Sequence, residues 1–128
     1  MYRAPGSTRG LTNLEAVKQV CAEFGFEAVD FAAQSVREQI AMMRGAEYIV
    51  AEHGAGLVNL VYCAGRSPKL LELYPPFYTV PQIYFIARTL HIQHCAWSCD
   101  AVSGLNPYER YAIVSLSAFR NCLQNWCD

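Results

Sequence analysis

The chain has 128 residues, of which 53% are hydrophobic and 16% are charged, and its formal net charge is −1. This length supplies one ordinary domain with a real core, near half the size of an enzyme that needs two lobes. The basic residues form no cluster along one face, which argues against a nucleic-acid surface, and no apolar run is long enough for a membrane span or a signal core. We therefore expect a soluble domain whose partner is a small molecule.

The first predicted helix covers residues 14–24, where apolar residues recur at helical spacing on one face. Thr12 and Glu15 are predicted to form a capping box at its start, and Gly25 is predicted to end it. The apolar residues of 26–31 then indicate a short strand.

A second capping box, Ser35 with Glu38, opens a predicted helix that ends at Gly45. The run 47–52 is typical of a buried strand, and a helix over 56–63 is predicted after a glycine-rich turn.

The remaining segments continue the same alternation of strand and helix. They are a strand over 69–74, a helix over 80–90, a last strand over 92–97, a loop over 98–107 and a closing helix over 108–123. This order predicts parallel strands joined by helical crossovers. The expected fold class is α/β, a Rossmann-like parallel sheet flanked by helices, formed as a single domain over residues 1–128.

The six cysteines include no C-x-x-C pair, and no histidine pair has zinc-ligand spacing, so we expect no metal site. Cys21 and Cys63 fall on apolar helix faces and are predicted to be buried thiols. The later cysteines are either free or paired in an oxidising compartment, and the sequence fixes neither their connectivity nor their redox state. They are Cys95, Cys99, Cys122 and Cys127.

A glycine-rich turn follows the apolar run 48–50 and reads AEHGAGLVN from Ala51 to Asn59. A turn of this kind lets the backbone approach a ligand, and the N–H groups of the next helical turn attract anions, so we expect a phosphate here. The turn lacks the third glycine of a dinucleotide fingerprint and the Lys-Ser/Thr of a P-loop. Because ligands bind at the carboxyl ends of parallel strands, this turn and the one at 74–76 are expected to face one crevice.

The motifs in combination resemble the donor-binding half of glycosyltransferase family 61, which includes capsular-polysaccharide and O-linked sugar transferases. The residues that carry the resemblance are His53-Gly54-Ala55-Gly56-Leu57 with Asn59, Leu71-Glu72-Leu73 ahead of a proline, Glu38-Gln39, a strand ending in Ala51, and Arg3 and Arg9 ahead of Asn13-Leu14-Glu15. The resemblance spans about Arg3 to Leu90.

The resemblance implies the C-terminal lobe of a two-lobed GT-B enzyme. Such an enzyme transfers a sugar from a nucleotide diphosphate sugar to an acceptor hydroxyl, with inversion and without an obligatory metal or other cofactor. The implied partners are a nucleotide sugar, a glycan or glycoprotein acceptor, and an acceptor-binding lobe that is missing here, with no nucleic acid. The implied process is polysaccharide or glycoprotein biosynthesis, in the Golgi or endoplasmic reticulum lumen for an anchored eukaryotic enzyme or in the cytoplasm for a bacterial one, so the compartment stays open.

The resemblance places His53 beside the diphosphate as the catalytic residue. There it would donate to a phosphate oxygen and stabilise charge on the leaving diphosphate. Gly54, Ala55, Gly56 and Leu57 would offer backbone N–H groups to the same oxygens. The alternative for His53 is a structural histidine that caps the next helix.

Four further residues are candidates for donor binding. Glu72 breaks an apolar strand near its end, and it is predicted either to accept hydrogen bonds from ribose hydroxyls or to be exposed to water. Asn59 either orients the turn, touches the ligand or is satisfied by neighbouring backbone. Arg3 and Arg9 either bring planar positive charge to the diphosphate or are solvated.

Other polar and aromatic residues near these motifs are given weaker roles. Gln39 is expected to support packing or a turn, and Asp30 and Glu52 are conceivable contributors to the site. Glu52 also departs from the small or apolar residue that the family usually has before the histidine. No residue is assigned as the catalytic base, which is expected from the missing lobe. Three aromatic residues either wall a base pocket or pack locally, and these are Tyr74, Phe77 and Tyr78.

Two other functions stay open. One is a non-catalytic or degenerate nucleotide-binding module that keeps the same fold without turnover. The other is an unrelated flavodoxin-like or Rossmann enzyme, which predicts affinity for a dinucleotide or a flavin.

Overall fold

A computed structural model describes residues 1, 9–76, 80–102 and 110–127, with the backbone alone at Arg9 and Arg110. The α-helices of these ranges are α1 (Leu14–Glu23), α2 (Val36–Gly45), α3 (Gln82–Thr89) and α4 (Leu116–Cys127). The strands are β1 (Arg9–Leu11), β2 (Tyr48–Glu52), β3 (Lys69–Tyr74), β4 (Gln93–Ser98), β5 (Asp100–Ala101) and β6 (Arg110–Ile113). Two 3₁₀ helices cover Phe31–Ala33 and Ala55–Cys63.

The strands form two small sheets. The first has the order β2-β3-β4 with all strands parallel, and its register sets Ala51 opposite Glu72 and Glu72 opposite Ala96. The second has the order β1-β6-β5, in which β1 and β6 are parallel and β5 and β6 are antiparallel. Cys99 joins β4 to β5, and its N–H donates to the carbonyl of Tyr74 at 2.9 Å.

Apolar side chains pack on both faces of β3, because successive residues of a strand point to opposite faces. Leu70 belongs to a core with α2, α3 and the longer 3₁₀ helix, whereas Leu71 and Leu73 belong to a core with α1, α4 and β6. The central parallel sheet is therefore covered by helices on both sides. The α/β class predicted from the sequence is confirmed, with a second sheet and an antiparallel strand pair added to the predicted parallel arrangement.

The locally encoded elements agree best with the sequence predictions. β3 has the predicted bounds, β2 is one residue shorter than predicted, and α3 lies within its predicted range. The capping box of α2 is present, since the N–H of Ser35 donates to Glu38 at 2.8 Å and the N–H of Glu38 donates to the Ser35 hydroxyl at 3.3 Å. Gly25 follows the end of α1 with a left-handed φ of 80°, which fits its predicted role.

The capping box predicted at Thr12 and Glu15 is wrong. α1 begins after Asn13, which caps it without a side-chain hydrogen bond to the helix. Its side-chain amide instead bonds the backbone of Val114, donating to the carbonyl at 2.8 Å and accepting from the N–H at 3.1 Å. The Thr12 hydroxyl donates to the carbonyl of Ala112 at 3.3 Å. The side chains of Thr12 and Asn13 could each have capped the helix. Instead, they form hydrogen bonds to the backbone of β6 and of Val114, which directly follows it.

Three other predicted elements need correction. The strand predicted over 26–31 belongs to neither sheet of the described chain, apart from a single bridge at Asp30. The helix predicted over 56–63 is a 3₁₀ helix that begins at Ala55. The helix predicted over 108–123 begins at Leu116, because residues 110–113 pair with β1 as a strand, so β4 is not the last strand. Residues 103–109 of the predicted loop and helix lie outside the described ranges.

Cys21, Cys63, Cys95, Cys99 and Cys122 form no disulfide bond, so the structure does not show the alternative in which the later cysteines are paired with one another. Cys63 is buried as predicted, whereas Cys21 is partly buried at the edge of the core that contains α1 and α4. Within the described ranges, no helix combines the length and the apolar character that crossing a membrane requires.

Candidate functional site at the carboxyl ends of β2 and β3

His53 is fixed at the point where β2 ends. Its backbone N–H donates to the carbonyl of Leu73 at 2.8 Å, which extends the pairing of β2 with β3 by one residue. Because side chains alternate along a strand, His53 lies on the same face as Ala51, whereas Glu52 lies on the opposite face. The turn after β2 and the turn after β3 therefore lie side by side, as the sequence predicted.

The glycine-rich turn leads directly into the longer 3₁₀ helix. Gly54 has an extended backbone, with φ 163° and ψ 177°, that any residue can adopt. The N–H of Leu57 donates to the carbonyl of Gly54 at 3.0 Å, and this bond closes the first turn. Ala55 and Gly56 are exposed and precede the first intrahelical donor, the N–H of Leu57, so by helix geometry their own N–H groups have no acceptor within the helix.

Leu57 was predicted to offer its N–H to a phosphate, and the structure does not support that role. Its N–H is used within the turn, and its side chain is fully buried in the core. Asn59 closes the turn from the other end, where its side-chain amide donates to the carbonyl of Gly56 at 3.0 Å. Of the alternatives for Asn59, the structure shows the one in which the side chain is satisfied by neighbouring backbone.

Glu72 lies between two histidines in the interior. Its Oε1 is 2.6 Å from Nδ1 of His53, and its Oε2 is 2.7 Å from Nε2 of His94. The glutamate is 0% exposed, and the two histidine side chains are 7% and 9% exposed. Three adjacent strands of the parallel sheet thus contribute one residue each to a buried row, which we call the His53–Glu72–His94 triad.

The direction of these hydrogen bonds depends on the histidine tautomers, and it is assigned here with Glu72 as an ionised carboxylate. A carboxylate only accepts hydrogen bonds, so each facing ring nitrogen must carry a proton. His53 therefore donates from Nδ1 and His94 donates from Nε2. In His53 the opposite nitrogen, Nε2, points away from Glu72.

Tyr74 holds the His53 ring from a second direction. The two rings are stacked, with centroids 4.6 Å apart and planes 21° apart. Burial raises the pKa of the Tyr74 hydroxyl well above its ordinary value, and the hydrogen bonding and negative charge of Glu72 raise it further. Tyr74 is therefore a neutral phenol at physiological pH, and its ring serves as a packing surface for His53.

Both predictions made for Glu72 are corrected by this geometry. It is not exposed to water, and a direct bond to ribose does not fit a carboxylate that is fully buried with each oxygen bonded to a histidine. The sequence correctly placed Glu72 in a strand, but it did not identify His53 and His94 as the partners of its carboxylate. His94 was missed altogether, although it lies inside the strand predicted over 92–97.

The remaining candidates lie away from the triad or outside the described residues. Arg3, Phe77 and Tyr78 are not described, and Arg9 is described only as backbone in β1. Asp30 caps the shorter 3₁₀ helix, accepting from the N–H of Ala32 at 3.2 Å.

Gln39 has the supporting role that was predicted for it. Its side-chain amide donates to the carbonyls of Phe31 at 2.9 Å and Gln34 at 3.1 Å. These two bonds attach the segment before α2 to the helix itself.

A large cavity lies elsewhere in the molecule. It has a volume of about 790 Å³ and is lined mainly by apolar residues of α1, α2, β2 and the segment between the two helices. Glu52 lines it, whereas none of residues 53–59 does. Among the described residues, no group of three or more histidine, cysteine, aspartate or glutamate side chains has an arrangement that could hold a metal ion.

Comparison with known families gives one match. The family model described as Glycosyltransferase 61 matches residues 1–67, which is more than half of the 128-residue chain. The matched part includes His53, the glycine-rich turn and Asn59, whereas Glu72 and His94 follow it. No curated protein and no solved structure gives a significant match.

Proposed function

We propose that this chain, which belongs to glycosyltransferase family 61, binds the nucleoside diphosphate part of an activated sugar at the carboxyl end of β2. Membership of the family implies glycosyl transfer in general. The finer proposal is that the chain supplies the donor-binding half of a two-lobed, GT-B-like enzyme, with inversion at the sugar carbon and a glycan or glycoprotein as acceptor.

One observation carries the proposal: His53 is held rigidly beside the exposed start of a helix. Nδ1 of His53 is committed to Glu72, and the stacked Tyr74 ring restricts rotation of the imidazole. We propose that the opposite nitrogen, Nε2, and the N–H groups of Ala55 and Gly56 contact the same diphosphate. Donors fixed in advance and close to developing negative charge are the usual basis of electrostatic catalysis.

The proposed reaction breaks the bond between the sugar carbon and a phosphate oxygen. The acceptor oxygen attacks the sugar carbon from the opposite side, and the electron pair of the broken bond passes to the diphosphate. His53 with both nitrogens protonated donates from Nδ1 to Glu72 and from Nε2 to a phosphate oxygen. A base outside the triad takes the acceptor proton. Arg3 and Arg9 remain proposed contacts of the diphosphate, and the proposal includes no metal.

The test is an amide-shift titration of the chain with uridine, guanosine and cytidine diphosphates. We expect saturable shifts centred on residues 53–57 with one nucleotide preferred. Gly54→Val should abolish them, because its extended backbone accepts valine while the side chain blocks the approach of the ligand. His53→Asn should weaken binding at least tenfold, since asparagine can keep the hydrogen bond to Glu72 but has no counterpart of Nε2.

His53→Ala is a less specific variant, because it leaves a buried carboxylate without one partner, at a cost of about 3–5 kcal/mol in stability. Val58→Ala is the matched control, since Val58 is 51% exposed on the same 3₁₀ helix and should leave affinity unchanged. Absence of saturable shifts with every nucleotide, in a chain whose spectrum shows it to be folded, would contradict the proposal.

The near-complete burial of His53 favours a second candidate, a nucleotide-binding module of the same family without turnover. This candidate predicts the same titration but no release of sugar from a bound nucleotide sugar. Release of free sugar, followed by proton NMR over hours, separates the two.

A further inference from the structure

The triad places His94 where it can act on the proposed site without touching the ligand. His94 stands on β4, and its Nε2 is 2.7 Å from Oε2 of Glu72. The other oxygen of that carboxylate is 2.6 Å from Nδ1 of His53. His94 and His53 therefore bind opposite oxygens of one buried group.

A carboxylate held by one oxygen can rotate, whereas a carboxylate held by both oxygens cannot. With His94 removed, Oε2 of Glu72 would lose its histidine partner, and the buried carboxylate would turn to redistribute its hydrogen bonds between His53 and Tyr74. Rotation of Glu72 would loosen the hydrogen bond that keeps the proton of His53 on Nδ1.

We infer that His94 is a positioning residue, which locks Glu72 so that His53, with both nitrogens protonated in the donor complex, keeps its Nδ1 proton on Glu72 and donates from Nε2 to the diphosphate. This inference rests on the proposed function for its ligand. The supporting geometry is the burial of all three side chains, two hydrogen bonds shorter than 2.8 Å, and the position of Tyr84 against the outer side of His94, with ring centroids 6.0 Å apart. Outer partners that orient a ligand-binding histidine typically change affinity by 10 to 100 fold when removed, at metal sites where this has been measured.

The first arm of the test follows the diphosphate affinity of His94 variants, using the nucleoside diphosphate that the wild type prefers. His94→Ala should weaken binding about tenfold. His94→Gln should restore most of it, because the side-chain amide of glutamine can donate from a position close to that of Nε2. His91→Asn is the matched control, since His91 is exposed, has a left-handed φ of 56° that asparagine tolerates, and should bind normally.

A double-mutant cycle separates positioning from general structural support. If His94 acts through the His53 ring, His94→Ala should have no further effect on affinity in a His53→Asn background. An affinity that is unchanged in His94→Ala, or a tenfold loss that persists undiminished in His53→Asn, would overturn the inference.

The second arm needs no ligand, so its failure is distinct from failure of the proposed function. Long-range ¹H–¹⁵N correlation reports which nitrogen of His53 carries a proton. We expect a protonated Nδ1 in the wild type and in His94→Gln, with loss of that proton in a measurable fraction of His94→Ala. A wild type that binds no nucleotide contradicts the proposed function, and this ring measurement then decides the positioning role. An Nδ1 proton that is the same in all three proteins would overturn it.

Discussion

At the scale of single residues, the important chemistry lies in contacts between residues that the sequence identified separately. His53 and Glu72 were both selected, one from the glycine-rich turn and one from the break in an apolar strand. Their hydrogen bond depends on the register that sets Ala51 opposite Glu72. A single sequence does not contain that register, so the roles were assigned to a ligand instead of to a pair.

His94 was not identified from the sequence, also because strand pairing is not visible in a single sequence. The sequence placed it within a predicted strand, but a lone histidine in a strand has no visible partner. Its contact with Glu72 arises from the pairing of β3 with β4. Residues that act through another residue are found from the structure, whereas residues next to a distinctive turn are found from the sequence.

The cysteines give a prediction that depends on burial and pH. Burial raises the pKa of Cys99 to about 12 and that of Cys21 to about 11, so at pH 8 both are almost entirely in the unreactive thiol form. We expect Cys99 to resist iodoacetamide in the folded chain, with a rate that increases as the pH rises above 9. Peptide mapping by mass spectrometry after timed alkylation measures this rate.

Alkylation in denaturant is the control for that measurement, since all six thiols should then react. The sign of the linked effect on stability follows from the same shift. The stabilisation from keeping the Cys99 thiol neutral is complete below its ordinary pKa of 9.0 and is lost as the pH rises towards 12. Labelling of Cys99 in the folded chain as fast as in denaturant would show that this burial is incorrect.

At the scale of elements, local signals were reliable and those that competed with tertiary contacts were not. The capping box of α2 formed because the side chains of Ser35 and Glu38 are exposed and bond each other and the backbone of the first turn. The box predicted for α1 did not form because β6 supplied better partners for Thr12 and Asn13. The sequence around Thr12 does not indicate that Thr12 will bond to Ala112 in a strand 100 residues later.

The longer 3₁₀ helix was misassigned for a reason that is visible afterwards. Its fully buried residues are Leu57, Leu60 and Cys63, which recur every third residue. That spacing places them on one face of a 3₁₀ helix, which has three residues per turn. In an α-helix, which has 3.6 residues per turn, residues spaced three apart would not stay on one face.

The capping box supplies the prediction at this scale. Ser35→Ala removes the hydroxyl that accepts from the N–H of Glu38 and should lower the free energy of unfolding by about 1 kcal/mol. Urea denaturation followed by circular dichroism measures the change. Thr89→Ala is the matched control, because the Thr89 hydroxyl is exposed and only bonds back to the carbonyl of Phe85, so we expect a change of a few tenths of a kcal/mol. Equal effects from the two substitutions would show that the box does not stabilise α2.

At the scale of the whole molecule, the alternation of strands and helices was enough to predict an α/β fold. It was not enough to predict two sheets. The second sheet pairs β1 with β6, whose partners Arg9 and Arg110 come from opposite ends of the chain. Helices cover both faces of β3, and family membership implies glycosyl transfer in general.

The central claim is that a donor diphosphate binds at the carboxyl end of β2, and the most direct measurement is a crystal structure of the chain with its preferred nucleoside diphosphate. We expect phosphate oxygens within about 2.7–3.2 Å of His53 Nε2 and of the N–H groups of Ala55 and Gly56, with Glu72 still bonded to both histidines. A diphosphate bound elsewhere, for example in the apolar cavity between α1 and α2, would contradict the account.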